Sequence, residues 1–195
     1  GKNDIYSKSD EEITEYYNDI RKYADSIGME IGQTHGRLRS GFREGEETAA
    51  AIENACRDLL ATSALGVKVS VFHYINSYRM GIHTPAEEMR SKNFEIFKQI
   101  FAFAREYNVK IAAETFGNLT EPEKVIDFYG NINEFTAMYD RLSAIDGNEK
   151  YSAACMDVGH TNCAVMYGQP SAGDVIRILG SRIAVLHLHD NNGAE

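Results

Sequence analysis

Five short apolar runs, rich in β-branched residues and separated by helical patterns, restrict this chain to a narrow set of folds. The runs span residues 29–34, 67–72, 109–113, 152–156 and 183–188. Each is nearly continuous in apolar character and bounded by Gly, Asn or polar residues, as strands buried on both faces of a parallel sheet are. Helical patterns at 11–27, 46–65, 84–107, 133–144 and 171–179 lie between and around them. The first carries an apolar stripe of Ile13, Tyr16, Tyr17, Ile20, Tyr23, Ala24 and Ile27, and Ser9 with Glu12 forms a capping box ahead of it. Thr84-Pro85-Ala86-Glu87 reads as a second capping box, with Pro at the first helical position. Strands about 40 residues apart with helices between them give a doubly wound sheet or a (β/α)8 barrel.

Composition narrows the function. Of 195 residues, 43% are hydrophobic and 25% charged, which suits one globular domain. The net charge of −9 argues against a nucleic-acid partner, which needs a basic face to meet phosphate. Cys56, Cys155 and Cys163 form no CxxC pair and read as reduced thiols. No apolar run has the length of a membrane span, and residues 1–10 do not resemble a signal peptide. A cytoplasmic protein is the expectation. GxGxxG, P-loop and GxSxG motifs are absent, so no nucleotide cofactor is expected.

Chemistry gathers where the runs end. The first ends in Gln33-Thr34-His35, the second in Val71-Phe72-His73, and the third in Ala113-Glu114. The fourth ends in Met156-Asp157 with Val158-Gly159-His160 behind it, and the fifth in His187-Leu188-His189-Asp190. In a parallel β/α fold all these ends lie on one side, where the loops build a site. Imidazoles with carboxylates suit manganese, zinc, cobalt or magnesium, and two carboxylates offset the charge of a dication. Glu114 and Asp157 follow apolar runs in which an unpaired carboxylate would be costly, so a functional role outweighs a structural one. His187 reads the same way. For His35 and His73 a hydrogen-bonded rim residue and a ligand are evenly matched. His189 could support a ligand from behind, contact substrate or simply pack. His83 reads as a surface loop residue, and Asp146, Asp174, Glu11 and Glu12 as solvated faces or caps.

On these pieces the chain resembles the xylose isomerase-like TIM barrels, which include sugar-phosphate isomerases and epimerases and the endonuclease IV branch. The resemblance rests on Ile111-Ala112-Ala113-Glu114, Met156-Asp157-Val158-Gly159-His160-Thr161-Asn162 and Leu186-His187-Leu188-His189-Asp190-Asn191, in that order. It implies an α/β fold, a (β/α)8 barrel of which residues 1–195 supply one domain with strands three to seven, lacking the first two and the last. It also implies metal ligands at Glu114, Asp157 and His187, with Glu114 and His160 catalytic. His35, His73, His160, His189 and Asp190 would face substrate. The family's fourth ligand, a Glu on strand eight, lies outside the sequence. The implied activity is a divalent-metal-dependent isomerase or epimerase, manganese first, acting on a sugar, sugar phosphate or polyol. It would proceed by proton transfer through an enediolate or by hydride shift. An abasic-site hydrolase, a dehydratase or a binding protein on the same scaffold are the alternatives. The expected partner is a small carbohydrate, with neither nucleic acid nor membrane. Self-association into a homo-oligomer would follow from exposed sheet edges.

Overall fold

The computed structural model describes residues 7–37, 48–119 and 125–192. Its elements run α1 (Asp10–Ser26), β1 (Thr34–His35), α2 (Thr48–Ala64), β2 (Val69–Phe72), α3 (Ser77–Met80), α4 (Ala86–Tyr107) and β3 (Lys110–Glu114). A small antiparallel hairpin follows, β4 (Asn118–Leu119) with β5 (Val125–Ile126). Then come α5 (Ile132–Ser143), β6 (Ser152–Asp157), α6 (Val158–Val165), α7 (Ala172–Leu179) and β7 (Ile183–His187). The order β1-β2-β3-β6-β7 forms one sheet in which every pair is parallel.

Alternation along the strands sorts side chains into two layers. Outward residues such as Phe72, Ile111, Ala113, Ala154 and Met156 join the main core with Leu59, Ile96, Phe97, Ile100, Phe135 and Leu142 of the helices. Inward residues form a second cluster of Val71, Ala112, Ala153, Cys155 and Val185. Three of these five are small, which lets the sheet curl around them. The curl is deep enough for Gln33, just ahead of β1, to reach His187 on β7, although these are the two outermost strands. The architecture is therefore α/β, a parallel half-barrel with helices on its convex side.

Local signals explain most element boundaries. The Ser9 hydroxyl accepts from the Glu12 amide at 3.3 Å, and Glu12 accepts from the Ser9 amide at 3.0 Å, closing the expected capping box. Asn131 and Ser171 cap α5 and α7. Asn108 ends α4 in the left-handed region at φ 54°, turning the chain into β3.

Four expectations need correction. The first strand is Thr34–His35 rather than 29–34, because residues at the sheet edge pair only where β2 offers partners, at Ser70 and Val71. Met29 is exposed instead. The last strand stops at His187, and Leu188 is 73% exposed. The capping box at Thr84 does not form: the Thr84 hydroxyl donates to the Met80 carbonyl at 2.6 Å and closes the turn after α3, leaving Pro85 as the N-cap of α4. The α1 stripe is only partly buried. Ile13 and Ala24 are enclosed, while Tyr16, Ile20, Tyr23 and Ile27 remain exposed. The start of the helix expected over 46–65 falls outside the described residues, and α3, α6 and the hairpin were not foreseen.

The layer assignment has a direct test. Ile111→Ala should cost about 2–5 kcal/mol in urea unfolding, as a buried large-to-small change does. Lys110→Ala, at the exposed start of the same strand, should stay within about 0.5 kcal/mol. Equal losses would contradict the burial of Ile111 in the outward core.

Candidate metal centre

Parallel pairing aligns the C-terminal strand ends, so the residues just beyond the small inward layer share one mouth. Val71 leads to His73, Ala112 to Glu114, Cys155 to Asp157 and Val185 to His187, each two positions further along the same face. Glu114 is 3% exposed and lies at the middle of this ring.

Both of its carboxylate oxygens are engaged. Oε2 lies 2.9 Å from His35 Nε2 and 2.7 Å from His73 Nε2. Oε1 lies 2.8 Å from His187 Nδ1 and 3.7 Å from His160 Nδ1. Burial alone would raise the Glu114 pKa. Hydrogen bonds from His35, His73 and His187 outweigh it and hold the carboxyl well below the usual range. The reverse holds at His35. Burial disfavours its charged form, but Glu114 on one side and the Gly36 carbonyl, 2.6 Å from Nδ1, raise its pKa.

Asp157, 4% exposed, is the second buried carboxylate of the mouth. It is the N-cap of α6, and its Oδ1 accepts from the His160 amide at 2.7 Å and from His189 Nε2 at 2.9 Å. Its Oδ2 lies 3.6 Å from His187 Nδ1. Thr115 sets this arrangement from behind. Its hydroxyl accepts from the Asp157 amide at 2.9 Å, and its carbonyl accepts from His160 Nδ1 at 3.1 Å. The Thr161 hydroxyl donates to the Asp157 carbonyl at 2.6 Å. Phe116 packs against His73 and His160, with ring centroids 5.2 and 5.1 Å away.

The sequence-derived residues thus fall into place unevenly. Glu114, Asp157, His160 and His187 converge, and His35 and His73 contact Glu114 itself rather than lining a distant rim. His189, its side chain 44% exposed, reaches Asp157 from outside. Asp190 is exposed on the following loop, and so is His83 on its own. Sequence reading left Gln33, Thr115, Phe116 and Gly159 without roles. Gln33 could have been found by alternation, being two residues before His35. Thr115 and Phe116 carry no signal beyond following a strand.

A divalent cation fits the donors present. Among the described residues, three groups place their nitrogen, sulfur or oxygen ligand atoms within 4.8 Å of one another: His35, His73 and Glu114; Glu114, Cys155 and His187; and Glu114, Asp157 and His160. Glu114 belongs to all three. Cys155 is a buried free thiol whose pKa burial pushes up, so it is the least ready donor.

Gly159 makes the packing at Asp157 feasible. A Cβ there would lie 1.8 Å from the His189 ring. Gly159→Ala should therefore stabilise α6 by about 0.5–1 kcal/mol only when His189 is also changed to Ala. In the wild-type background the gain should vanish, since His189 must leave Asp157. Equal effects in both backgrounds, measured by urea unfolding, would contradict the packing.

Comparison with known proteins follows the same lines. The sequence model of a family described as xylose isomerase-like TIM barrel matches residues 3–195. Among solved structures, a D-tagatose 3-epimerase-like protein aligns with a TM-score of 0.69 at 20% identity, over 92% of this chain and 63% of that one. The 3-keto-D-glucoside 4-epimerase YcjR from E. coli aligns with a TM-score of 0.69 at 12% identity, over 92% of this chain and 66% of that one. IolI, solved with a zinc atom, aligns with a TM-score of 0.66 at 16% identity, over 89% of this chain and 56% of that one. At these identities the likeness speaks to fold alone, and the chain spans less than two thirds of each of these proteins. No curated protein matches the sequence.

Proposed function

The chain belongs to the xylose isomerase-like TIM barrel family, and we propose that it serves isomerisation or epimerisation of a sugar, sugar phosphate or polyol with a divalent cation at Glu114, Asp157 and His187. Structural neighbours named as sugar epimerases support the reaction class. One observation carries the cation: imidazoles from four separate elements surround a single buried carboxylate. A carboxylate serving structure alone needs two or three donors, and main-chain amides would supply them.

When bound, the cation polarises a carbonyl or hydroxyl oxygen of the substrate. The chain's residues do the rest. Glu114 and Asp157 supply the negative charge that lets a dication sit in a buried place. Glu114 would also take the proton beside the substrate carbonyl. The Thr115 carbonyl holds His160 at Nδ1, which leaves Nε2 for a substrate hydroxyl. Phe116, between His73 and His160, offers an apolar face to the C–H side of a sugar. We assign His35, His73, His189 and Asp190 to substrate contact. Manganese is the first choice of ion, with zinc, cobalt or magnesium as alternatives.

Manganese or cobalt should raise the melting temperature of the protein. At a hundredfold excess over Kd the gain is about 2.7 kcal/mol, or roughly 5–10 °C for a chain of this size. Glu114→Gln or His187→Ala should remove the shift, and no shift in the wild type would sink the cation. Proton transfer should carry deuterium from D2O into a ketose beside its carbonyl, whereas hydride shift should not.

A second reading has one observation in its favour. The two oxygens of Glu114 face different imidazoles, Oε2 toward His35 and His73 and Oε1 toward His187. A carboxylate so placed can bridge two cations, as a phosphodiester hydrolase acting at abasic sites would use. The net charge of −9 opposes it. Two manganese ions per chain with cleavage of an abasic duplex at low salt would favour the hydrolase, and one ion without cleavage the isomerase.

A further inference from the structure

His187 is held at both of its ring nitrogens. Nδ1 faces Glu114 Oε1 at 2.8 Å and Asp157 Oδ2 at 3.6 Å. Nε2 faces the side-chain amide of Gln33 at 3.3 Å, across 154 residues of sequence. The partners come from opposite edges of the sheet, since Gln33 immediately precedes β1 and His187 ends β7. His35, two residues after Gln33 on the same face, stacks on the same ring at 5.8 Å and 22°. Segments at the two edges thus grip one imidazole between an amide and a ring.

The chemistry of the amide matters. Glutamine presents a donor and an acceptor at its tip, and turning the amide over exchanges them. Glu114 can only accept, so without a cation a neutral His187 would carry its hydrogen on Nδ1, and Nε2 would accept from the Gln33 NH2 group. With the Nδ1 lone pair given to a cation, the hydrogen moves to Nε2 and the Gln33 carbonyl accepts it. Either state keeps the ring in place, and the change needs only an amide turn. A ligating histidine is usually fixed in this way through its other nitrogen.

We propose that Gln33 is a positioning residue for His187, its amide holding the imidazole so that Nδ1 points between Glu114 and Asp157. The proposal rests on the reading that these three residues gather a cation, and it adds a residue that is not itself a ligand. Gln33 is exposed, so substitutions there should leave the fold intact.

Three variants test it: Gln33→Met, which keeps length but neither donor nor acceptor; Gln33→Glu, which can only accept; and Gln33→Ala. The first readout is the tautomer of His187 in metal-free protein, from 15N NMR of labelled histidine assigned by the His187→Ala spectrum. Wild type should hold hydrogen at Nδ1, Gln33→Glu should add hydrogen at Nε2 while keeping that at Nδ1, because a carboxylate then faces each nitrogen, and Gln33→Met should shift the Nε2 resonance by removing its donor. The second readout is the Kd for manganese. Gln33→Met and Gln33→Ala should weaken it about 10–100-fold, and Gln33→Glu should restore it to wild type or better. A Gln33→Met protein with wild-type affinity overturns the proposal, and so does a Gln33→Glu protein in which Nε2 of His187 stays as in wild type. If wild type takes up no manganese while Gln33→Glu still adds hydrogen at Nε2, the Gln33 contact stands and the cation reading fails instead.

Discussion

Keeping a carboxylate ionised at the end of a buried strand is expensive unless charge or hydrogen bonds surround it. Glu114 sits in that position, and much of the mouth is arranged to meet the cost. The residues that do so come from β1, β7, α6 and the end of β2, which no local sequence rule joins. They meet because the sheet is parallel, so strand ends align, and because it curls, so its edges approach. The small inward layer of Ala112, Ala153 and Cys155 permits the curl. The curl that this small layer permits therefore also brings the site together.

Asp157 shows how packing and chemistry are coupled. It caps α6, receives His189, and faces His187 with its second oxygen. A residue with three such partners cannot move without disturbing a helix start and two imidazoles. Thr115 binds both the Asp157 amide and, through its own carbonyl, His160. The chain thus locks the geometry of the mouth from the outer side, leaving ligand atoms to face inward. Preorganisation of this kind suits a site that must hold a small ion and its ligands to within about half an ångström.

How much of this was legible in the sequence depended on whether the signal was local. Parallel strands showed as continuous apolar runs, and the capping box at Ser9 showed as a spacing. Glu114 and Asp157 stood out because a carboxylate after such runs demands a partner. The partners themselves were less clear: nothing near His35 or His73 in sequence tells that both touch Glu114. Thr84 misled because its hydroxyl had a nearer use, the Met80 carbonyl, than the helix ahead of it. The short strand at Thr34 reflects its place at the sheet edge, where the number of paired residues is set by β2 and not by the run's own composition. Gly159 carried a motif position whose reason, room for the His189 ring, exists only in three dimensions.

The central claim is that Glu114, Asp157 and His187 gather around one cation. Anomalous diffraction at the manganese edge, from crystals grown with manganese, locates the ion without recourse to activity. The account predicts a peak about 2.0–2.3 Å from a Glu114 oxygen, an Asp157 oxygen and His187 Nδ1. A crystal saturated with manganese that shows no peak there, or shows one held by His35 and His73 away from Asp157, would contradict it.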